Sequence, residues 1–199
     1  MDLKKPMEDL SNMVFGLALS IGALTLISTA SSSPHVVTGD IATFAFSFLI
    51  LIYIWFRYTN VLEIIKVETN FEVNLNIVLL FLVVIEPYLF NLLHSSASAD
   101  LGFTSALFGL DIAGMMLSLG FLYGVAISRA RRTDRRAVAQ YLVIRNGLLL
   151  IGVIFAFSTL PAFWDVALLG YRLRFWAWVL SLVLFLLFRR RSRRMSAMT

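Results

Sequence analysis

Six mostly apolar stretches, separated by short polar connections, are the feature that most restricts what this chain can fold into. A helix that crosses the hydrocarbon core of a bilayer needs roughly 20 such residues. The stretches therefore predict six transmembrane helices, at residues 10–29, 41–59, 74–93, 105–127, 138–159 and 173–188. Because the connections are too short for a separate domain, we expect residues 1–199 to form a single six-span membrane domain, an all-α integral membrane protein.

The composition excludes most other classes of protein. Hydrophobic residues make up 59% of the chain and charged residues only 15%, whereas a soluble domain carries about 25% charged residues. There is no cysteine and there are two histidines, His35 and His94, so disulfides and thiolate metal sites are excluded and a histidine-rich site is not expected. We find no catalytic motif and expect no enzyme, no cofactor and no metal site. Both histidines are expected in outer loops.

Lysine and arginine are distributed unevenly over the predicted connections. One side of the membrane receives 15 of the 17, and the other side receives only Arg172 and Arg174. Short loops rich in lysine and arginine remain in the cytoplasm, which places both termini inside and agrees with an even number of spans. Topology thus accounts for the net charge of +5, and no nucleic-acid partner is needed to explain it. We expect a multi-pass protein of a prokaryotic plasma membrane.

Three charged residues lie away from the ends of the apolar stretches: Glu86, Asp111 and Arg145. Charge inside a bilayer is costly, so each needs a reason. One interpretation places them on an ion or proton pathway. The other has Glu86 extend to the outer headgroups and Arg145 snorkel or pair with a carboxylate. Pro87 removes a backbone donor and is expected to bend or end the third helix.

The first stretch has two unlike faces at helical periodicity. Leu17, Ile21 and Leu24 share one stripe, with Ser20 at its edge, while Ser11 begins the opposite side. An aliphatic stripe most often faces lipid. The alternative is that it faces a symmetry axis, where stacked apolar rings gate by dewetting.

Several other residues in the predicted spans stand at spacings that form recognisable motifs. The first span opens with Pro6-Met7-Glu8-Asp9-Leu10-Ser11-Asn12, and the second contains Trp55 followed by Tyr58. In the third span Pro87 follows Asn76 after eleven residues, and Phe108 and Asp111 stand in the fourth. Together these residues resemble the transmembrane protein 175 family of potassium channels, in its short prokaryotic six-span form.

The matches within this resemblance are partial. The family opens its first span with Arg-x-x-x-Phe-Ser-Asp, so Ser11 matches, whereas Pro6, Leu10 and Asn12 differ. Trp55 matches the family tryptophan, but Tyr58 replaces a histidine. The spacing of asparagine and proline in the third span is retained.

The resemblance implies a homotetrameric channel whose central pore is lined by the first span of each subunit. Leu17, Ile21 and Leu24 would form the constrictions, and the Ser20 hydroxyl would take the place of a family threonine. It also implies that six residues support the pore helix by packing: Ser11, Asn12, Trp55, Asn76, Pro87 and Asp111. Potassium and other monovalent cations would be the permeant partners.

Two other functions remain open from the sequence. A proton-coupled or small-solute secondary transporter would use Glu86, Asp111 and Arg145, although no internal repeat is evident. A purely structural membrane protein or accessory subunit would need none of these residues.

Overall fold

The computed structural model describes residues 4–28, 34–65, 69–95, 100–130, 135–181 and 183–184. The helices are α1 (Lys4–Ser28), α2 (Pro34–Ile64), α3 (Asn70–Ser95), α4 (Leu101–Ala130), α5 (Arg135–Ser158) and the short α6 (Pro161–Asp165). A two-stranded hairpin follows, β1 (Ala167–Leu168) and β2 (Tyr171–Arg172). A last helical stretch, α7, covers residues 173–181 and 183–184. The fold is therefore all-helical apart from one small hairpin in the described ranges.

Helices α2, α3, α4 and α5 contain stretches long and apolar enough to cross a membrane: Phe44–Ile64, Asn70–Leu93, Leu101–Ala130 and Val138–Ser158. These four correspond to the second to fifth predicted spans. Helix α1 covers the first predicted span up to residue 28, and α7 covers part of the sixth. Residues 29, 182 and 185–188 of those two spans lie outside the described residues, and the count of six stays a prediction.

Most helices extend beyond the apolar stretches that predicted them, because polar residues continue the helix after the apolar run ends. The start of α3 shows how such an end is stabilised. The Glu72 backbone N–H donates to Thr69 Oγ1 (3.3 Å), and the Thr69 backbone N–H donates to Glu72 Oε2 (3.2 Å). This reciprocal pair is a capping box, which satisfies two donors that the first helical turn leaves open.

Three expectations about local structure are corrected. Pro87 lies inside α3, which continues to Ser95, so the proline does not end the helix. His35 lies in α2 and His94 in α3, so neither belongs to a loop. Apolar residues on both sides of Pro87 continue α3, and α2 and α3 extend past their apolar stretches far enough to include the two histidines.

The chain divides into two compact units, Met1–Thr104 and Ser105–Thr199. In the first unit α1 packs against both α2 and α3, and its core includes Phe15, Ile54, Tyr58 and Val83. The core of the second unit is formed by residues such as Phe108, Ile112, Leu148, Phe155 and Trp178.

Close helix packing in the second unit depends on glycines in α4 and α5. A Cβ added at Gly120 would lie 2.6 Å from Leu149 Cδ2, and one added at Gly152 would lie 3.0 Å from Leu117 Cγ. Small residues let membrane helices approach closely in this way. By contrast, nothing lies within 4 Å of a Cβ added at Gly124, so only one glycine of the Gly120-x-x-x-Gly124 pattern lies at a close contact.

Candidate pore-lining helix

Helix α1 has one packed stripe and one exposed stripe. Ser11, Phe15 and Ala18 recur at intervals of four and three residues and are all buried. On the other side, Leu17, Ile21 and Leu24 are 57%, 40% and 61% exposed. Leu10 and Met13 extend this exposed stripe toward the start of the helix. The bulky aliphatic side chains of α1 therefore do not contribute to the core of their own chain.

Side chains from α1 and α2 fix the rotation of α1 about its axis. Trp55 Nε1 donates to Asn12 Oδ1 at 3.1 Å. The Phe15 and Tyr58 rings meet with centroids 5.8 Å apart. The Ser11 hydroxyl donates to the backbone carbonyl of Glu8 at 2.9 Å. The first two contacts join α1 to α2 on the side of α1 opposite the aliphatic stripe, and the third lies within α1.

Asn76, predicted to support the first helix, reaches it through an intermediate residue. The Tyr58 hydroxyl donates to Asn76 Oδ1, and both side chains are buried. Tyr58 also contacts Phe15 of α1. The contacts therefore run from Asn76 in α3 to Tyr58 in α2, and from Tyr58 to Phe15 in α1. The Asn76 amide nitrogen is buried with no acceptor among the described residues.

Ser20 is exposed at the edge of the aliphatic stripe, and its hydroxyl donates to the Gly16 backbone carbonyl at 2.8 Å. With its hydrogen used in this way, the oxygen presents lone pairs outward. Lone pairs of this kind can replace part of the water shell of a cation. Among the described residues no group of His, Asp or Glu side chains could hold a resident metal ion.

The three charged residues away from the ends of the apolar stretches have different environments. Glu86 is 1% exposed and accepts a hydrogen bond from the Ser47 hydroxyl of α2. Its carboxylate is therefore enclosed by protein and bonded to α2. Asp111 is buried in α4 beside Phe108 and Ile112, and Pro87, which follows Glu86 in α3, is also buried.

Arg145 is half-buried, and it bonds to a neutral group. Its Nε and Nη2 donate to Asn146 Oδ1 at 3.2 and 3.1 Å. In the described part of the chain this amide is the acceptor that Arg145 is seen to use, and no bond to a carboxylate is observed there.

The second unit contains a buried arginine, Arg174, that was not predicted from the sequence. Arg174 is 2% exposed and donates to Ser105 Oγ (2.6 Å), the Ser158 carbonyl (2.8 Å) and the Thr159 carbonyl (3.0 Å). Its guanidinium also lies 5.3 Å from the centroid of the Trp164 ring. The charge distribution alone predicts an outer-loop position for this residue. Its place at the start of an apolar stretch was the signal that it is buried.

Comparison with known proteins gives a structural relationship but no relationship by sequence. No family model matches the chain, and no curated protein matches it by sequence. Among solved structures, the chain matches the crystal structure of a variant of the potassium channel MtTMEM175 in complex with a nanobody–MBP fusion protein. The match covers 96% of this chain and 91% of that chain, with a TM-score of 0.58 and 17% sequence identity. The resemblance noted in the sequence is thus confirmed at the level of structure, and the chain shares its fold with a TMEM175 potassium channel.

Proposed function

We propose that the chain is one subunit of a potassium-permeable cation channel that conducts passively through a central pore. The observation that carries the proposal is the separation of faces on α1. Its packed stripe is buried in the chain's own core, while Leu17, Ile21 and Leu24 are left exposed on the opposite side. The shared fold with a potassium channel supports the same conclusion. Neither observation suggests an enzyme.

In the proposed assembly, four copies bring their α1 helices together at a common axis, with six spans per subunit and both termini in the cytoplasm. The exposed stripe then lines the axis, and each leucine or isoleucine position becomes a ring of four side chains. An apolar ring hinders ions by the cost of removing their water. The assembly would lie in the plasma membrane of a prokaryote.

Potassium would move down its electrochemical gradient past the Leu17 ring, and the Ser20 hydroxyls would replace some of the water that the ion loses. Potassium is less strongly hydrated than sodium, so a ring that requires dehydration favours it. Apolar rings offer no fixed set of ligands, however, and we expect only weak to moderate preference for potassium over sodium.

The proposal is tested by reconstituting purified protein in liposomes with a potassium gradient and measuring flux. We expect wild-type protein to carry potassium without a proton gradient. Leu17→Ala should raise the flux because it widens the apolar ring. Val84→Ala, at an exposed position of α3, should leave the flux unchanged. Equal flux for wild type and Leu17→Ala would contradict the proposed constriction.

A second candidate is a proton-coupled or small-solute secondary transporter. The burial of the two carboxylates Glu86 and Asp111 favours it, because buried ionisable groups in membrane proteins commonly bind protons or ions. Asp111→Asn separates the candidates: a coupled transporter should lose transport, whereas a passive channel should largely retain potassium flux. Glu86→Gln provides the same comparison in the first unit.

A further inference from the structure

The hairpin between α6 and α7 exposes an unusual amount of apolar surface for a turn. Val166, Leu168 and Tyr171 are all more than half exposed, and Leu169 at the turn is 80% exposed. Leu169 and Gly170 both have positive φ, 52° and 83°, which is the geometry of a type I′ turn. Asparagine or aspartate usually precedes the glycine in such a turn. A leucine here points its side chain outward at a position where a polar residue is more easily accommodated.

These exposed side chains are held in a defined arrangement. The strands pair Ala167 with Arg172 and Leu168 with Tyr171. Trp176 Nε1 of α7 donates to the Leu168 carbonyl at 3.0 Å, and the backbone N–H of Leu173 donates to the Val166 carbonyl at 2.9 Å. The hairpin therefore presents its apolar side chains from a hydrogen-bonded frame.

The apolar surface of the hairpin continues a stripe on α5. Val153 and Phe157 of α5 and Leu160 just after its end are exposed at intervals of four and three residues, and they lead toward the hairpin along the chain. Helix α5 is one of the helices long and apolar enough to cross a membrane. Its exposed apolar stripe therefore identifies the bilayer as the medium that the hairpin meets.

The residues around the hairpin are those that favour the boundary between lipid and water. Tyr171 lies in the hairpin, Trp164 precedes the hairpin and Trp176 follows it in α7. The Arg172 guanidinium lies 5.1 Å from the centroid of the Trp164 ring. Tryptophan and tyrosine concentrate at this boundary because they combine an apolar ring with a polar group. An arginine beside them is complementary to the negative phosphates of lipid headgroups.

We propose that the hairpin of residues 166–172 is a lipid anchor, with the apolar side chains of its turn among the upper acyl chains and Arg172 directed to the lipid phosphates. This interaction requires that the chain reside in a bilayer, but not that it conduct ions. It is therefore independent of the proposed pore, and a failed flux experiment leaves it standing.

The absence of native cysteine permits a direct test with the full-length protein. Leu169→Cys is labelled with the fluorophore NBD and reconstituted in vesicles of phosphatidylcholine and phosphatidylglycerol. Two matched variants define the extremes: Lys5→Cys at the exposed start of α1 for water, and Val153→Cys on the exposed stripe of α5 for lipid. Quenching is measured with aqueous iodide and with lipids that carry a nitroxide at a shallow or a deep position.

We expect the label at position 169 to be quenched by the shallow nitroxide lipid, and to be several-fold less sensitive to iodide than the label at position 5. A Tyr171→Cys label should behave in the same way. Iodide quenching at position 169 as strong as at position 5 would overturn the proposal. Protection from both quenchers would also overturn it, because it would mean that protein, such as a second copy of the chain, covers the hairpin.

Discussion

Hydrogen bonds to neighbouring groups offset the cost of burying the charged side chain of Arg174. It donates to two carbonyls at the end of α5 and to Ser105 near the start of α4. The last backbone carbonyls of a helix receive no hydrogen bond from within the helix, and they carry partial negative charge. A guanidinium satisfies several of them at once, because its donors form a rigid fork.

We expect Arg174→Gln to destabilise the protein by about 3 kcal/mol, because hydrogen bonds to a charged group are each worth about 1.5–3 kcal/mol. The unfolding temperature in detergent measures the effect. Arg172→Gln is the control, because Arg172 is exposed and stacks on the same Trp164 ring. An equal decrease in unfolding temperature in the two variants would show that contact with the Trp164 ring, and not the buried hydrogen bonds, stabilises the protein.

A second residue-scale prediction concerns Tyr58, whose hydroxyl donates to Asn76 Oδ1. Tyr58→Phe leaves that buried oxygen without this donor, and an unsatisfied buried group costs about 1–3 kcal/mol. We expect Tyr58→Phe to lower the unfolding temperature. Tyr88→Phe should leave the unfolding temperature unchanged, because the Tyr88 ring is exposed. An unchanged unfolding temperature in Tyr58→Phe would mean that the bond adds no stability.

Part of this residue-scale picture could be predicted from the sequence. The resemblance grouped Asn12, Trp55 and Asn76, and the structure brings Asn12 and Trp55 into contact. The role of Tyr58 was not foreseen, because it stands where the family has histidine and was counted as a mismatch. Arg174 was not foreseen because charge counting assigns a residue to a side of the membrane and says nothing about burial.

At the scale of helices, α4 and α5 approach closely at two glycines, Gly120 and Gly152. The side chain of Leu149 fills the space over Gly120, and the side chain of Leu117 fills the space over Gly152. Each glycine therefore accepts a leucine from the opposite helix. This exchange lets two apolar helices approach closely without a water-driven hydrophobic effect.

Gly120→Ala should weaken this packing, because its Cβ would lie 2.6 Å from Leu149 Cδ2 and 2.9 Å from Leu149 Cγ. Inserting a group into a packed site costs typically about 1–3 kcal/mol, and we expect a lower unfolding temperature. Gly124→Ala, one turn along the same helix, should be neutral or slightly stabilising because its Cβ meets open space. Adding Leu149→Ala to Gly120→Ala should restore part of the loss. Equal effects of the two glycine variants would contradict this account.

Hydropathy located the helices better than it located their ends. The apolar stretches mark what can lie in lipid, whereas hydrogen bonds such as the Thr69–Glu72 capping box decide where a helix begins. The helix α6 and the hairpin strands were not predicted. Elements of five and two residues are too short to show a periodic pattern.

At the scale of the whole molecule, the proposed pore depends on which stripe of α1 the protein leaves uncovered. Periodicity alone identified the two stripes but could not choose between them, because an aliphatic stripe is also what a lipid-facing helix presents. The choice comes from tertiary contacts: Ser11, Phe15 and Ala18 are buried in the first unit. Leu17, Ile21 and Leu24 are left exposed, which the proposed pore requires and which a lipid-facing stripe would also show.

The most direct test of the pore uses Leu17→Cys in this cysteine-free chain, reconstituted in liposomes with a potassium gradient. A cationic methanethiosulfonate that cannot cross the membrane is added, and modification is followed by mass spectrometry. We predict that modification at position 17 reduces potassium flux several-fold, while Val84→Cys, on the exposed face of α3, conducts as before. Unchanged flux through fully modified Leu17→Cys would show that the ions do not pass this stripe of α1.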